Sequence, residues 1–293
     1  MKHLFIINPV AGKGISIKYI EKIQTYFKDK EDIYRIETTK EQGHATAITK
    51  EYVKNDDWRV YSIGGDGTLN EVLNGLVGSN SALGVIPAGS GNDYFRSLDT
   101  ENDENLLTRT IEGSIKKCSI GQVNNRYFLN VASAGIDAEV VYNARQLKKL
   151  PFLNGQGAYI LGIFYTVFKY KSFKSKITFN EQTLHKTTLL IAVANGKYYG
   201  GGMKIAPRAN IYSKNFEIYH IDEAKPLRII KLFPTLIRGA HDTLREVQSY
   251  QTNKLSLYSK DGFMLNIDGE IERVNRANFS LIQDGVNIII PIS

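Results

Sequence analysis

Three glycine-rich stretches in the first third of the chain each follow directly on a short apolar run. They read NPVAGKG (residues 8–14), GGDGTLNE (residues 64–71) and PAGSGND (residues 87–93). Patterns typical of helices lie between the apolar runs, and strands that alternate with helices form parallel sheets. Because the carboxyl ends of parallel strands meet at one edge of a sheet, the sequence predicts three loops side by side at a ligand-binding edge.

The pattern changes at about residue 121. Before that position, apolar runs alternate with helical patterns; after it, β-like runs are short, separated by turn residues and interrupted by few helices. We predict an α/β fold in which residues 1–120 form an α/β domain on a parallel sheet and residues 121–293 form a mostly antiparallel second domain. The strands predicted for the first domain are residues 3–8, 33–37, 58–63 and 82–87, with a helix at 16–27.

Composition excludes several classes of protein. A single cysteine, Cys118, cannot form an internal disulfide, and the N-terminal apolar run is too short for a signal peptide. The longest apolar stretch, residues 158–168, falls short of the roughly 20 residues that span a bilayer. We expect a cytoplasmic protein. Its formal charge of +7 favours anionic partners without choosing among nucleotide, nucleic acid and acidic membrane.

Common phosphate-binding and metal motifs are missing. The sequence contains no G-x-x-x-x-G-K-[ST], no G-x-G-x-x-G after a strand and no H-R-D with D-F-G. Its five histidines lack H-E-x-x-H spacing, and one cysteine excludes a zinc cluster. Phosphate chemistry would therefore depend on the three glycine-rich loops.

Asp66 lies in the middle of the second loop, at the predicted start of a helix. Backbone N–H groups at such a position attract anions, so a carboxylate competes there with a phosphate. A divalent cation removes the conflict, because Mg²⁺ is usually held by one or two carboxylates plus phosphate oxygens. We interpret Asp66 as part of a metal–nucleotide site for phosphoryl transfer; the alternative is a simple helix N-cap.

In this order and at these separations, the three loops closely resemble the diacylglycerol kinase catalytic-domain family, bacterial lipid kinases related to sphingosine kinases. The stretches ETTKEQGHA (residues 37–45), NVASAGIDAEVV (130–141) and NIDGE (266–270) extend the resemblance across nearly the whole chain. It implies an enzyme that phosphorylates a lipid hydroxyl with ATP and Mg²⁺. It also implies an α/β nucleotide-binding domain, a β-sandwich domain and an active site in the cleft between them.

The resemblance assigns roles to individual residues. Asp66 would organise phosphate and metal, and Glu270 would be the general base. Taken alone, residues 266–270 fit either an acidic turn or a carboxylate that accepts the proton of a lipid hydroxyl. The other residues that we expect at the ATP site are Asn8, Pro9, Gly12, Thr39, Gly64, Gly65, Gly67, Thr68, Asn70, Ser90, Asn92 and Asp93.

We therefore predict a lipid kinase that transfers the γ-phosphoryl group of ATP to the hydroxyl of a diacylglycerol-like lipid. Two alternatives stay open: an enzyme similar to NAD kinase, which shares a GGDG loop and the two-domain plan, and a non-catalytic relative that binds nucleotide or lipid. The expected partners are ATP and a membrane lipid with a free hydroxyl, but no nucleic acid; a homodimer stays open.

A lysine-rich region surrounds the longest apolar stretch. Basic and aromatic residues together suit reversible docking at an anionic membrane surface, whereas a core helix with a solvated basic end would give the same pattern. Docking would make the protein peripheral at the membrane. The lysines are Lys148, Lys149, Lys169, Lys171, Lys174 and Lys176, and the residues at helical spacing are Tyr159, Ile160, Ile163, Phe164 and Val167.

Two acidic positions of the family pattern are absent. Ser119 stands where the family usually has an aspartate, and Ser213–Lys214 replaces an Asp-Gly pair that helps to hold a second, structural Mg²⁺. Because a hydroxyl beside a lysine is a poor site for a hard cation, we predict that this second Mg²⁺ site is lost. Lys214 would then serve as a built-in cation that reaches toward Asp93 or another acidic group and holds the two domains together.

Overall fold

The fold begins with a parallel sheet. The structure is a computed structural model that describes residues 1–147 and 155–292. Strands β1 to β4 lie in the order β2-β1-β3-β4, and every neighbouring pair is parallel, as predicted from the sequence. Their bounds are β1 (Lys2–Ile7), β2 (Ile33–Thr38), β3 (Arg59–Gly64) and β4 (Ala82–Pro87).

Helices connect these strands and cover the sheet. The predicted helix 16–27 begins later, at Tyr19, because Gly12, Lys13 and Gly14 adopt left-handed backbone angles inside the irregular helical segment Ala11–Lys18. Glu71 caps the second helix by accepting the N–H groups of Gly43 and Ala45. The helices are α1 (Tyr19–Phe27), α2 (His44–Val53), α3 (Asp66–Leu76), α4 (Asp93–Arg96) and α5 (Leu106–Ile111).

The second half of the chain is the predicted β-sandwich. Its antiparallel strands close on a core in which the rings of Phe128 and Phe216 stack with centroids 5.8 Å apart. The ladder runs β11-β10-β9-β7-β12-β13, while β8 bridges β9 and β12, and β5 pairs with β13 and β6. The strands are β5 (Ser114–Val123), β6 (Arg126–Phe128), β7 (Val131–Gly135), β8 (Phe173–Phe179), β9 (Gln182–Ala194), β10 (Phe216–Asp222), β11 (Val247–Thr252), β12 (Lys254–Ile267) and β13 (Glu270–Ile290).

Three helices lie against one face of the sandwich: α6 (Ile136–Leu147), α7 (Gly155–Lys169) and α8 (Pro226–Ile237). Buried side chains of the helices and of the sheet below them, such as Val167 of α7 and Ala192 of β9, form a separate apolar cluster. The helical spacing within residues 158–168 correctly predicts α7. Among the described residues, no helix has both the length and the apolar character needed to cross a membrane.

Strand β13 joins the two halves. Its first part pairs with β12, and its later part lies between β5 and β4, antiparallel to β5 and parallel to β4, where Asn287 faces Ala82. The two sheets therefore form one continuous hydrogen-bonded surface. The domain boundary that we predict between residues 120 and 121 falls inside β5.

Candidate active site

A cleft of about 810 Å³ separates the parallel sheet from the sandwich. All three glycine-rich loops line it, which confirms that they lie side by side. The opposite wall comes from residues 129–131, 199–201 and 268–270. The predicted site residues that line the cleft are Asn8, Pro9, Gly12, Thr39, Gly65, Asp66, Gly67, Thr68, Ser90, Asp93 and Glu270.

Three predicted site residues support the loops from behind the cleft surface. Gly64 lies under Thr68, whose hydroxyl would be 2.6 Å from a Cβ at that position. Asn92 closes its own loop, because its side chain accepts the N–H of Gly89 at 3.0 Å and donates to the Gly89 carbonyl at 2.9 Å. Asn70 donates its amide to Asp268 on the opposite domain at 3.0 Å.

The loops touch one another through their backbones. Gly12 has a φ of +57°, and a side chain there would collide with the carbonyl oxygen of Ala88. A side chain at Gly89 would collide with the backbone of Gly65. Glycine is therefore required for the loops to pack this closely, and the packing presents backbone groups rather than side chains to the cleft.

Asp66 ties the second loop to the third. Its Oδ1 accepts the N–H groups of Asp93 at 2.7 Å and Tyr94 at 3.3 Å. It thus caps the short helix α4 rather than its own helix α3, where it makes no capping hydrogen bond. Burial raises the pKa of Asp66, and the backbone N–H groups oppose that rise. The capping interpretation and the metal interpretation are compatible, because the same carboxylate also lines the cleft.

Asp93 connects the two domains. This buried carboxylate accepts the N–H groups of Gly201 at 2.9 Å and Gly202 at 2.6 Å. Burial and the nearby charge of Asp66 raise the pKa of Asp93 to about 6. The predicted role of Lys214 is wrong: this lysine is exposed and, among the described residues, forms no ion pair with Asp93 or with another acidic group.

Ser119 and Ser213 hold their segments together directly. The buried hydroxyl of Ser119 donates to the backbone carbonyl of Ser213 at 2.7 Å, and the N–H of Ser119 donates to the carbonyl of Ile211 at 2.8 Å. These neutral hydrogen bonds link β5 to the segment before β10.

Asp268 is a second connection between the domains, through the amide of Asn70, and no sequence pattern predicts it. Its carboxylate accepts three consecutive backbone N–H groups, of residues 129–131, at 2.8 to 3.1 Å, in addition to the amide of Asn70. Burial raises the pKa of Asp268 to about 6 against the effect of these donors. The residue has a φ of +45°, so the turn that carries Glu270 is tightly fixed.

Glu270 faces the cleft from the first position of β13. It forms an ion pair with Arg126 at 2.6 Å and accepts a hydrogen bond from Gln42 at 3.0 Å. Gln42 belongs to the first domain and lies 228 positions away in sequence. The carboxylate is therefore held in one place, partly exposed, where it can accept a proton from a bound hydroxyl.

The cleft is strongly acidic. One lysine, Lys40, lines it beside six carboxylates: Glu41, Asp66, Glu71, Asp93, Asp268 and Glu270. A polyphosphate would be repelled unless a cation accompanied it. No group of three or more metal-ligating side chains occurs among the described residues, so a divalent ion would need phosphate oxygens to complete its coordination. The residues present fit Mg²⁺ bound together with nucleotide.

A second, apolar cavity of about 140 Å³ lies in the sandwich domain next to the cleft. Side chains of α6, α7, α8 and β9 form most of its walls. The residues that line both cavities are Val141, Tyr199, Gly200 and Asn266. Sequence patterns did not predict this cavity, because its walls come from segments that lie far apart in the chain.

Two family models together match almost the whole chain. The diacylglycerol kinase catalytic domain matches residues 2–123, and the YegS C-terminal NAD kinase beta sandwich-like domain matches residues 130–289. A diacylglycerol kinase of Bacillus subtilis is 27% identical over 98% of this chain and 95% of the relative. A diacylglycerol kinase of Staphylococcus saprophyticus is 26% identical over 98% and 94%.

Solved structures share the same fold. A crystal structure from Bacillus anthracis str. Sterne matches with a TM-score of 0.78 at 24% identity, over 99% of this chain and 96% of the other. A diacylglycerol kinase structure from the same organism matches with a TM-score of 0.71 at 21% identity, with the same coverage.

Proposed function

The chain belongs to the diacylglycerol kinase catalytic-domain family, a family of lipid kinases, and we propose that it transfers the γ-phosphoryl group of ATP to the hydroxyl of a diacylglycerol-like lipid. The observation that carries this proposal is the contact between two unlike cavities. An acidic cleft lined with glycine loops meets an apolar cavity at Val141, Tyr199, Gly200 and Asn266. A substrate with an apolar chain and a reacting hydroxyl fits that junction.

The glycine loops would bind the phosphates of ATP. The first turn of α3 leaves backbone N–H groups without helical partners, and the close packing of the loops brings residues 89–91 beside it. Asp66 would hold Mg²⁺, which neutralises charge on the phosphate oxygens when it is bound. Glu270 would accept the proton of the lipid hydroxyl as its oxygen bonds to the γ-phosphorus and ADP leaves.

We also propose reversible contact with the cytoplasmic surface of an anionic membrane. Helices α7 and α8, which cover the apolar cavity, carry large apolar side chains that are 42 to 68% exposed: Leu161, Phe164, Tyr165, Phe168, Leu227 and Ile237. Lys169, Lys171, Lys174 and Lys176 are exposed next to them, whereas Lys148 and Lys149 lie outside the described residues. Apolar side chains beside lysines suit an anionic bilayer surface.

One phosphorylation assay tests the proposal against its alternatives. The protein is incubated with radiolabelled ATP and Mg²⁺ and with either diacylglycerol in mixed micelles, a bacterial lipid extract, or NAD. We expect label in the lipid fraction, and loss of that label when the metal is chelated. Label in NAD would identify a dinucleotide kinase. Bound ATP without label transfer to any acceptor would identify a non-catalytic relative.

A further inference from the structure

Asp137 is the one acidic group that faces the apolar cavity from helix α6. Its Oδ2 accepts a hydrogen bond from Ser133 at 2.5 Å and a weak one from Asn266 at 3.5 Å. Its Oδ1 is buried and has no hydrogen-bond partner among the described residues. A buried carboxyl oxygen without a partner is costly, so a ligand that supplies one would be favoured.

The position of Asp137 is firmly set by the backbone before it. Gly135 has a φ of +131°, and a side chain there would collide with the carbonyl oxygen of Leu189 on β9. The start of α6 is thus fixed against the sandwich. The helix dipole favours a carboxylate in the first turn even when that carboxylate is exposed to solvent. The stability of α6 therefore does not require Asp137 to face an apolar cavity.

Asp137 also lies where the two cavities meet. Its neighbour Asn266 lines both of them, and the side chain of Asn266 accepts the N–H of Gly269 at 2.9 Å. Gly269 directly precedes Glu270, the proposed base. A lipid with its chain in the apolar cavity and its hydroxyl near Glu270 would cross this junction, which is lined by Asn266, the hydrogen-bond partner of Asp137.

We propose that Asp137 determines lipid specificity by donating a hydrogen bond from a protonated Oδ1 to an ester carbonyl of an acylglycerol, an inference that rests on the proposed kinase function. Diacylglycerol carries an ester on the carbon next to the one that bears the free hydroxyl. An ester offers only acceptors, so its partner must be a donor. Oδ2 already accepts from Ser133, which leaves Oδ1 as the atom to carry the proton.

The surroundings favour the neutral acid. Burial raises the pKa of Asp137 and outweighs the hydrogen bonds from Ser133, Asn266 and the nearby backbone, which lower it. No lysine or arginine is among the described residues that line the apolar cavity, and its other carboxylate, Glu246, is paired with Arg228 at 2.8 Å and Arg245 at 3.2 Å. The histidine among the described lining residues, His241, has its pKa lowered by burial, so the described wall supplies no cation that would hold Asp137 ionised.

Two matched lipids and three variants test the proposal. Diacylglycerol and a dialkylglycerol with the same chains and free hydroxyl differ only in the ester carbonyls. We expect the wild-type protein to prefer the ester by about 10-fold or more in kcat/KM. Asp137→Asn, which keeps an N–H donor, should retain most of this preference. Asp137→Leu should abolish it, mainly through a higher KM for diacylglycerol, with the KM for ATP unchanged.

The preference ratio separates recognition from structural damage. Val140→Ala alters the same cavity but leaves the carboxyl group in place. It should lower kcat/KM for both lipids by the same factor. If the ratio of kcat/KM for diacylglycerol to kcat/KM for dialkylglycerol is the same in the wild type and in Asp137→Leu, the proposal is overturned. A long-chain amino alcohol that binds best and depends on Asp137 would also overturn it, because it would make the carboxylate an acceptor of an ammonium group.

A binding measurement keeps this inference apart from the kinase proposal. The dissociation constants of the same two lipids are measured by fluorescence without ATP, for the wild type and for Asp137→Leu. If no lipid is phosphorylated, the kinase proposal fails, and the ratio of these constants decides the role of Asp137 alone. A preference for the ester that disappears in Asp137→Leu supports it, and an unchanged ratio refutes it.

Discussion

At the scale of single residues, Asp66 combines a structural contact and a proposed chemical role. Its Oδ1 accepts two backbone N–H groups of the third loop, and the same side chain lines the cleft. An asparagine keeps one acceptor oxygen but loses the negative charge that would hold a metal ion. The two roles can therefore be separated by comparing asparagine with alanine.

We predict that Asp66→Asn lowers phosphoryl transfer by roughly 10²-fold or more, because the charge that holds the metal is lost. Its free energy of unfolding should stay within about 1 kcal/mol of the wild type, whereas Asp66→Ala should lose about 1–2 kcal/mol with the cap of α4. Labelled-ATP assays and urea unfolding measure the two effects. Turnover near the wild-type rate in Asp66→Asn would rule out the metal role.

Glu270→Gln should lower kcat by about 10²-fold or more with little change in the KM for ATP, as expected for the loss of a general base. Glutamine preserves the size of the side chain and a hydrogen bond with Gln42. Glu272→Gln, two positions further along β13 and outside the cleft lining, is the matched control and should be active. A loss confined to ATP affinity would assign Glu270 to nucleotide binding instead.

Local sequence patterns predicted which residues would lie on the loops, but not which would connect them. Gly12, Asp66 and Ser90 follow strands, and a strand is recognisable from its own apolar residues. The role of Asp268 depends on backbone N–H groups that lie 137 to 139 positions earlier in the chain. No periodicity within one segment encodes such a contact, so the sequence indicated only a turn.

At the scale of elements, the parallel strands were predictable and helix α8 was not. Strands β1, β3 and β4 are short, buried runs between turn residues, and the edge strand β2 alternates apolar and polar residues; both are strong local signals. Helix α8 contains Pro234, which interrupts the helical pattern, and none of its residues is buried. Ile229, Ile230 and Leu236 are only partly buried against the apolar cluster of the sandwich. The helix therefore has an apolar face, but Pro234 obscures its helical pattern in the sequence.

The exposed apolar side chains of α7 and α8 should contribute to membrane binding. We predict that Phe168→Ser with Leu227→Ser reduces sedimentation with anionic vesicles several-fold, and that raising the salt concentration from about 0.1 M to 0.5 M weakens the remaining binding. Ile115→Ser is the control, because Ile115 is 52% exposed but lies on β5, outside these helices. Equal binding by all three proteins would place the docking surface elsewhere.

The hydrogen bonds of Ser119 lead to a prediction about metal dependence. Because its hydroxyl already links β5 to Ser213, the contact requires no cation. We expect millimolar Mg²⁺ to change the melting temperature of the nucleotide-free protein by less than about 1 °C, and to stabilise it only when ATP is present. A well-ordered Mg²⁺ near residues 211–216 in a nucleotide-free crystal would contradict this.

At the scale of the whole molecule, the two domains share one hydrogen-bonded sheet and are linked by two carboxylates, Asp93 and Asp268. β13 runs from the sandwich into the parallel sheet. Asp93 accepts the backbone N–H groups of Gly201 and Gly202 across the cleft, and Asp268 accepts the side-chain amide of Asn70 across it. The sequence indicated that the domains abut, since no linker separates them. It did not indicate how they are joined, because the contacts depend on the three-dimensional arrangement of distant segments.

Asp93 should make the stability of the molecule depend on pH. Its pKa rises from the ordinary 3.8 to about 6, so the folded protein keeps a proton that the unfolded chain has lost in that range. The stabilisation is complete below about pH 3.8 and is lost as the pH rises through about 6. A shift of this size corresponds to roughly 3 kcal/mol at most.

The free energy of unfolding of the wild type, measured against pH, will not show this effect by itself. Burial lowers the pKa of His3 and of His220 from 6.5 to about 4, so these groups contribute stability that grows as the pH rises through the same range. The difference between the wild type and Asp93→Asn removes their contribution, because both proteins retain the histidines. The quantity to compare is the free energy of unfolding in urea at about pH 4.5, 5.5, 6.5 and 7.5.

We predict that the stability advantage of the wild type over Asp93→Asn shrinks by about 1–3 kcal/mol between pH 4.5 and 7.5. In an Asp66→Asn background the decrease should move to lower pH, because the charge of Asp66 is one cause of the raised pKa. An advantage that instead grows with pH would mean that the N–H groups of Gly201 and Gly202 outweigh burial. Asp93 would then connect the two domains as an ionised carboxylate at every pH at which the enzyme works.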